Sequence, residues 1–276
     1  MKRVDSSIKL VAVGVDYDPE WNVDMVRIAG EYIDYLSIHT YIFVQGKTYE
    51  DLVAWPIAIE ENLKHIYITI EQTRHRYRVK KEIKIAFDEW NVWYPEAQPP
   101  YLEQITSMKD AIFTALVLNT LQRLSNIVPI ATFAQTVNVL PLILTKENKI
   151  LLTPQYLKLY TEVTEGNVVA VDTISPHYIS KELGLAVPYI DASAIHHQNK
   201  VYLFAVNRHP DEEAEIAIHI KSFTPIAVHH KYIAGTSIND KNTFEEPNKV
   251  KIEEKNYKFS ETIKLPPHSV NMLILS

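Results

Sequence analysis

The segment Lys84-Ile85-Ala86-Phe87-Asp88-Glu89-Trp90-Asn91-Val92-Trp93-Tyr94 decides how this chain is read. Ile83 to Phe87 is apolar apart from Lys84 and reads as a short buried strand. It ends on two adjacent carboxylates and runs into a stretch bearing Trp90, Trp93 and Tyr94. A carboxylate at the end of a buried strand is costly to desolvate unless it has partners or a task. Aromatic walls beside a carboxylate suit a sugar ring, whose C–H faces stack on indole while the carboxylate meets the anomeric carbon. The plainer reading of the same residues is an acidic pair opening a surface loop, with the tryptophans as core.

Working outward, short apolar strands alternate with longer helical patterns up to about residue 163. Lys9 to Gly14 reads as a buried strand, Trp21 to Ile33 as a helix and Tyr35 to His39 as a second strand. Tyr49 to Lys80 is a mostly helical stretch in which Pro56 marks a break or a first turn. The third strand, Ile83 to Glu89, is followed by an apolar helix from Met108 to Leu124. Ile127 to Phe133 reads as a fourth strand and Pro154 to Val163 as a fourth helix. Near-continuous apolar strands in successive βα units predict a parallel sheet. Pro129 is awkward inside a central strand, because it has no N–H to donate.

Beyond Gly166 the texture changes. Short alternating or apolar runs (167–173, 200–206, 213–220, 225–230, 249–254 and 270–275) are separated by turn-rich pieces such as Asn239-Asp240-Lys241-Asn242. That spacing predicts an antiparallel β-sandwich. The expected division is therefore an α/β part over 1–164 and a β-sandwich over 165–276.

Composition narrows the function classes. The chain has 276 residues, 46% hydrophobic and 22% charged, as in a globular protein. A formal charge of −6 offers no basic footprint for nucleic acid. With no cysteine there is no disulfide framework and no thiolate metal site. No apolar run reaches membrane-spanning length, and Met1 to Ile8 lacks the apolar core of a signal peptide. The expectation is a cytoplasmic protein that engages neither nucleic acid nor membrane. His196-His197 and His229-His230 lie in predicted strands, where neighbours point to opposite faces, so neither pair predicts a metal site. The basic cluster from Arg74 to Lys81 falls late in a helix, where cations favour the C-terminus and a solvated face is the expectation.

Phe87-Asp88-Glu89-Trp90-Asn91-Val92-Trp93-Tyr94 closely resembles the nucleophile segment of the α-L-arabinofuranosidases of glycoside hydrolase family 51. Two other strand ends resemble the same family. Ser37-Ile38-His39-Thr40-Tyr41 is similar to its Ser-x-His-x-Tyr strand end, and Ala134-Gln135-Thr136-Val137-Asn138 to its Ala-Gln-x-Val-Asn segment. Phe204-Ala205-Val206-Asn207-Arg208 is similar to part of the family's C-terminal sandwich. The resemblance implies the C-terminal half of a (β/α)8 TIM barrel, strands five to eight, followed by the sandwich. It implies Glu89 as catalytic nucleophile, with His39 and Tyr41 orienting it and the arabinose ring. Gln135 would bond a ring hydroxyl and Trp93 would wall the subsite. Asp88 is expected to cap or orient its loop rather than react.

One family element has no counterpart. The general acid/base of the family belongs to an Asn-Glu pair, and no Asn in this sequence is followed by Glu. A retaining glycosidase needs two carboxylates about 5–5.5 Å apart. A half-barrel also leaves open sheet edges and exposes apolar surface. The expectation is one part of a split retaining glycosidase acting on arabinose-containing oligosaccharides without metal or organic cofactor. A second polypeptide would carry the N-terminal half-barrel and the acid/base. Self-pairing into a homo-oligomer, an inactive truncated product, and a carbohydrate-binding or assembly module are the competing readings.

Overall fold

The computed structural model describes residues 1–221, 223–260 and 262–276. The first elements in chain order are β1 (Val11–Val13), α1 (Pro19–Ala29), β2 (Tyr35–Phe43), α2 (Tyr49–Leu52), α3 (Trp55–Tyr77), β3 (Lys84–Trp93), α4 (Met108–Arg123) and β4 (Ile130–Ala131). Twelve further strands follow. They are β5 (Ile143–Lys146), β6 (Lys149–Leu152), β7 (Asn167–Val169), β8 (His177–Ile179), β9 (Ala186–Pro188), β10 (Ile190–His197), β11 (Lys200–Asn207), β12 (Ala214–Ala217), β13 (Ala227–Ala234), β14 (Ile252–Lys258), β15 (Thr262–Leu265) and β16 (Ser269–Leu275). The chain divides into two compact units: Met1–Ile42, Ile57–Asn91 and Leu124–Ala134 in the first, and Phe43–Pro56, Val92–Arg123 and Gln135–Ser276 in the second. Among the described residues no helix is long and apolar enough to cross a membrane.

The first unit is built on a four-stranded sheet in the order β1-β2-β3-β4. Parallel pairing joins β1 to β2 (Val11 opposite Tyr35) and β3 to β4 (Ala86 opposite Ile130). Ile85, Ala86 and Phe87 are all buried, which requires cover on both faces of the sheet and explains the unbroken apolar run. β2 instead alternates. Leu36, Ile38 and Ile42 are buried on one side, and Ser37, His39 and Tyr41 share the other. Asp18 starts α1 by accepting the Trp21 N–H at 3.0 Å, with Pro19 in the first turn. Gly14 follows β1 and donates its N–H to Ser37 O at 2.8 Å. A Cβ at this glycine would lie 2.6 Å from that carbonyl, so only glycine lets the two strand ends approach.

The fourth βα unit is only partly formed. Pro129 confines β4 to two residues. The expected helix from Pro154 to Val163 is replaced by a single 3-10 turn, Lys158–Thr161, preceded by the β5–β6 hairpin. Leu157, Leu159 and Val163 are buried in one core, and Leu157 and Leu159 are two residues apart, a spacing that suits an irregular segment better than a helix.

In the second unit a six-stranded sheet runs β14-β13-β16-β11-β10-β7, with antiparallel pairing throughout. Period-two alternation sorts its side chains between two cores. Phe204, Val206, Val270 and Met272 pack with Met108, Ala111, Ile112 and Ala115 of α4. Leu203, Ala205, Leu273 and Leu275 point the other way, onto Ile263 and Leu265 of the β12–β15 pair. The central sheet is thus buried on both faces, by a helix on one and a short sheet on the other. β10, an eight-residue strand between β11 and the edge strand β7, lies in a stretch that sequence pattern leaves unassigned. Its Asp191, Ser193 and His-His end mask the alternation, because Asp191 and Ser193 are bonded to Arg123 and Asn119 of α4.

Asp34 ties the first unit together beneath the sheet. Its carboxylate accepts the Leu10 N–H at 2.8 Å and faces Lys81, Lys9 and Lys2 at 3.0, 3.5 and 3.7 Å. Burial opposes its ionisation, but the Leu10 N–H, Lys81 and Lys2 outweigh that and hold its pKa down to about 2. A depressed carboxylate stabilises the fold above its unfolded pKa, and that contribution is lost as pH falls through the folded value. Urea unfolding midpoints are therefore expected to fall between about pH 4 and pH 2. Asp34→Asn should flatten that fall, by an amount tempered by solvent screening at the exposed lysines.

Candidate active site

Asp88 and Glu89 sit midway along β3, which runs on to Trp93 and does not end at Glu89 as expected, and they lie beside the polar face of β2. The Tyr41 hydroxyl donates to Glu89 Oε2 at 2.7 Å. His39 stands between the two carboxylates, with Nε2 at 3.3 Å from Asp88 Oδ1 and Nδ1 at 3.5 Å from Glu89 Oε2. Ser37 Oγ lies 3.1 Å from His39 Nε2 and donates to Asp88 Oδ1 at 2.7 Å. Thr132, just beyond β4, donates its hydroxyl to the Asp88 carbonyl at 2.6 Å. The alternation of β2 puts Ser37, His39 and Tyr41 on one face at successive levels, so a single strand presents three polar groups to the carboxylate pair of β3.

The two carboxylates remain reachable, with 34% of the Asp88 side chain and 46% of the Glu89 side chain exposed. Burial, the hydrogen bond to Glu89 and that residue's negative charge together push the Tyr41 phenol well above its ordinary range. Tyr41 is therefore a fixed proton donor at neutral pH. It holds one Glu89 oxygen in place and leaves the carboxylate's remaining lone pairs for another group.

The aromatic residues divide by task. Trp90 is buried, stacked on Phe87 and edge-on to Phe133 at 5.0 Å, and belongs to the core of the first unit. Within the second unit, Tyr94 donates its hydroxyl to the buried Asp110 at 2.8 Å, a carboxylate that also takes the Ser107 N–H at the start of α4. Neither residue is available to wall a sugar, contrary to the expectation for the whole aromatic run. Trp93 is partly exposed and lies against Phe43, with ring centroids 5.9 Å apart. Gln135 is exposed in the loop that follows Ala134.

The structure thus gathers Glu89, Tyr41 and His39 within the first unit and places Trp93 and Gln135 in the second. Sequence reading missed Ser37 and Thr132 as partners and gave Asp88 only a loop-orienting task. Their one advance signal is that Ser37 precedes His39 by two residues, the spacing that puts both on one face of a strand. Among the described residues there is no cluster of three or more His, Cys, Asp or Glu side chains fit to hold a metal.

Comparison with known proteins assigns this architecture to the glycoside hydrolases. The chain belongs to the α-L-arabinofuranosidase C-terminal domain family, whose model matches residues 88–269, and it corresponds to the C-terminal part of a family 51 α-L-arabinofuranosidase. An intracellular exo-α-(1→5)-L-arabinofuranosidase of Halalkalibacterium halodurans is 30% identical over 81% of this chain and 49% of its own length. The solved structure of the thermostable family 51 α-L-arabinofuranosidase of Thermotoga petrophila superposes with a TM-score of 0.88 at 29% identity, over 100% of this chain and 59% of that one. The arabinose complex of the Thermotoga maritima α-L-arabinofuranosidase gives a TM-score of 0.84 at 29% identity, over 99% and 58%. The chain spans about half the length of the curated relatives it matches.

The Tyr41 phenol is open to direct test. With ring-carbon-labelled tyrosine, its signal is expected to stay protonated at about pH 11, where ordinary phenols have titrated. Glu89→Gln should bring its titration part of the way back, since the charge is removed and the burial is not.

Proposed function

We propose that this chain supplies the nucleophile of a retaining α-L-arabinofuranosidase, and that Glu89 is that nucleophile. The carrying observation is the Tyr41–Glu89 hydrogen bond at 2.7 Å, which fixes a partly exposed carboxylate on a largely buried strand within the family's nucleophile motif. In this reading Glu89 attacks the anomeric carbon of a terminal α-L-arabinofuranosyl unit. An acid protonates the departing oxygen, and water then cleaves the glycosyl ester with that same group acting as base. Tyr41 orients Glu89, and His39 lies against the same carboxylate oxygen.

The acid/base comes from a complementary N-terminal half-barrel. The absence of any Asn-Glu pair in this sequence supports this, as does the exposure of β1, where Val11 and Val13 are 48% and 62% accessible. Apolar side chains on a strand with one free edge favour pairing with another sheet. The substrates are arabinose-containing oligosaccharides, in keeping with the names of the curated relatives. A cytoplasmic location accords with the word intracellular in those names.

Hydrolysis of an alkyl α-L-arabinofuranoside tests both halves of the proposal, because a poor leaving group requires the acid. The purified chain alone is expected to be inactive, and adding a polypeptide carrying the Asn-Glu half should restore turnover. Turnover by the chain alone would overturn the shared-site reading. In the reconstituted enzyme, Glu89→Ala should abolish activity. More than about 10% residual activity would remove Glu89 as nucleophile, since losing such a group costs several powers of ten.

A further inference from the structure

The hydrogen-bond bookkeeping around His39 goes beyond the placement of the nucleophile. Ser37 has one hydroxyl proton, and it is donated to Asp88 Oδ1 at 2.7 Å. At that separation the reverse arrangement, with the proton turned to His39, would press an oxygen lone pair against a carboxylate oxygen. Ser37 Oγ therefore offers His39 Nε2 only a lone pair, at 3.1 Å, and Asp88 Oδ1 offers a second one at 3.3 Å. Two acceptors converge on Nε2, and no donor in this cluster is left to serve it. The Asp88 main chain is itself fixed by Thr132.

We propose that Asp88, steering the Ser37 hydroxyl, is a positioning residue that locks the ring proton of His39 on Nε2 and thereby keeps a donor off Nδ1, the nitrogen facing Glu89. The inference rests on Glu89 being the reacting carboxylate. Nδ1 lies 3.5 Å from Glu89 Oε2, the oxygen that Tyr41 already holds. That distance is longer than a hydrogen bond, so the neutral imidazole acts on Glu89 through the local dipole of the lone pair or N–H that Nδ1 turns toward it. Without Asp88, the Ser37 hydroxyl is free to turn to Nε2. The neutral ring then moves its proton to Nδ1 and aims a donor at the nucleophile, stabilising the carboxylate that has to react. Asp88 thus keeps a neutral His39 from quenching Glu89, a task distinct from capping a loop. The ionisable groups of the cluster are Asp88 and Glu89 from β3 and Tyr41 from β2, with Ser37 the neutral relay.

Ring-nitrogen NMR of the full chain, with 15N-labelled histidine, reads the tautomer without any turnover. The protein has eleven histidines, and His39→Gln identifies the His39 signals by their loss. Under alkaline conditions, where the imidazole is neutral, Nε2 is expected to carry the protonated-type shift and Nδ1 the unprotonated type. Ser37→Ala should leave that pattern in place, because Asp88 still accepts from Nε2. Asp88→Ala should exchange the two shifts. A wild-type His39 protonated on Nδ1 would overturn the proposal even if Asp88→Ala failed to fold, as would a folded Asp88→Ala chain with unchanged shifts. The outcome is independent of whether Glu89 proves to be the nucleophile, which the activity of Glu89→Ala decides separately.

Discussion

A pair of carboxylates set within a largely buried strand is the constraint on which the candidate site depends. Ile85, Ala86 and Phe87 before them and Trp90, Asn91 and Val92 after them are buried, so Asp88 and Glu89 occupy the partly exposed middle of β3 where an anion reaches water. Even there they need donors, and β2 supplies them. Because β2 alternates, its apolar residues anchor the strand while Ser37, His39 and Tyr41 stand in a row opposite the carboxylates. The parallel sheet and the polar cluster are thus two consequences of one register. Gly14 serves it from β1, because only a residue without a side chain lets its N–H reach Ser37 O.

The cluster separates two carboxylates that are neighbours in sequence. Glu89 has one oxygen held by Tyr41 and keeps nearly half its side chain exposed. Asp88 is engaged by Ser37, His39 and, through its carbonyl, Thr132. Both side chains stay partly exposed, and Asp88 is the more heavily bonded of the two. The imidazole between them feels both charges, which is why its proton arrangement matters.

In the second unit the same period-two logic operates on a larger scale. The strands β11 and β16 send alternate side chains to α4 and to the β12–β15 pair. A sheet covered on both faces can carry polar residues at its centre only when they are bonded. Asn271 meets that condition, accepting from His230 at 2.9 Å and donating to Ala205 O at 3.1 Å. Asp191 and Ser193 do so toward α4, and their presence is what hides β10 from pattern reading.

The sequence by itself determined the parallel α/β segment, the antiparallel sandwich and the family, because apolar periodicity and the eight residues from Phe87 to Tyr94 are local properties of the chain. The motif wording also singled out Glu89, His39 and Tyr41, whose side chains the fold brings into contact. Only the tertiary structure decided which aromatics are core, since Trp90 and Trp93 differ in their neighbours and not in their wording. It alone decided that Leu157 and Leu159 would forgo a helix to fill a core, and that β4 would shrink behind Pro129. It also brought Ser37 and Thr132 to Asp88 across 51 and 44 residues of chain. Hydrogen-bond partners that distant are set by how strands register against one another, and no local pattern encodes that register.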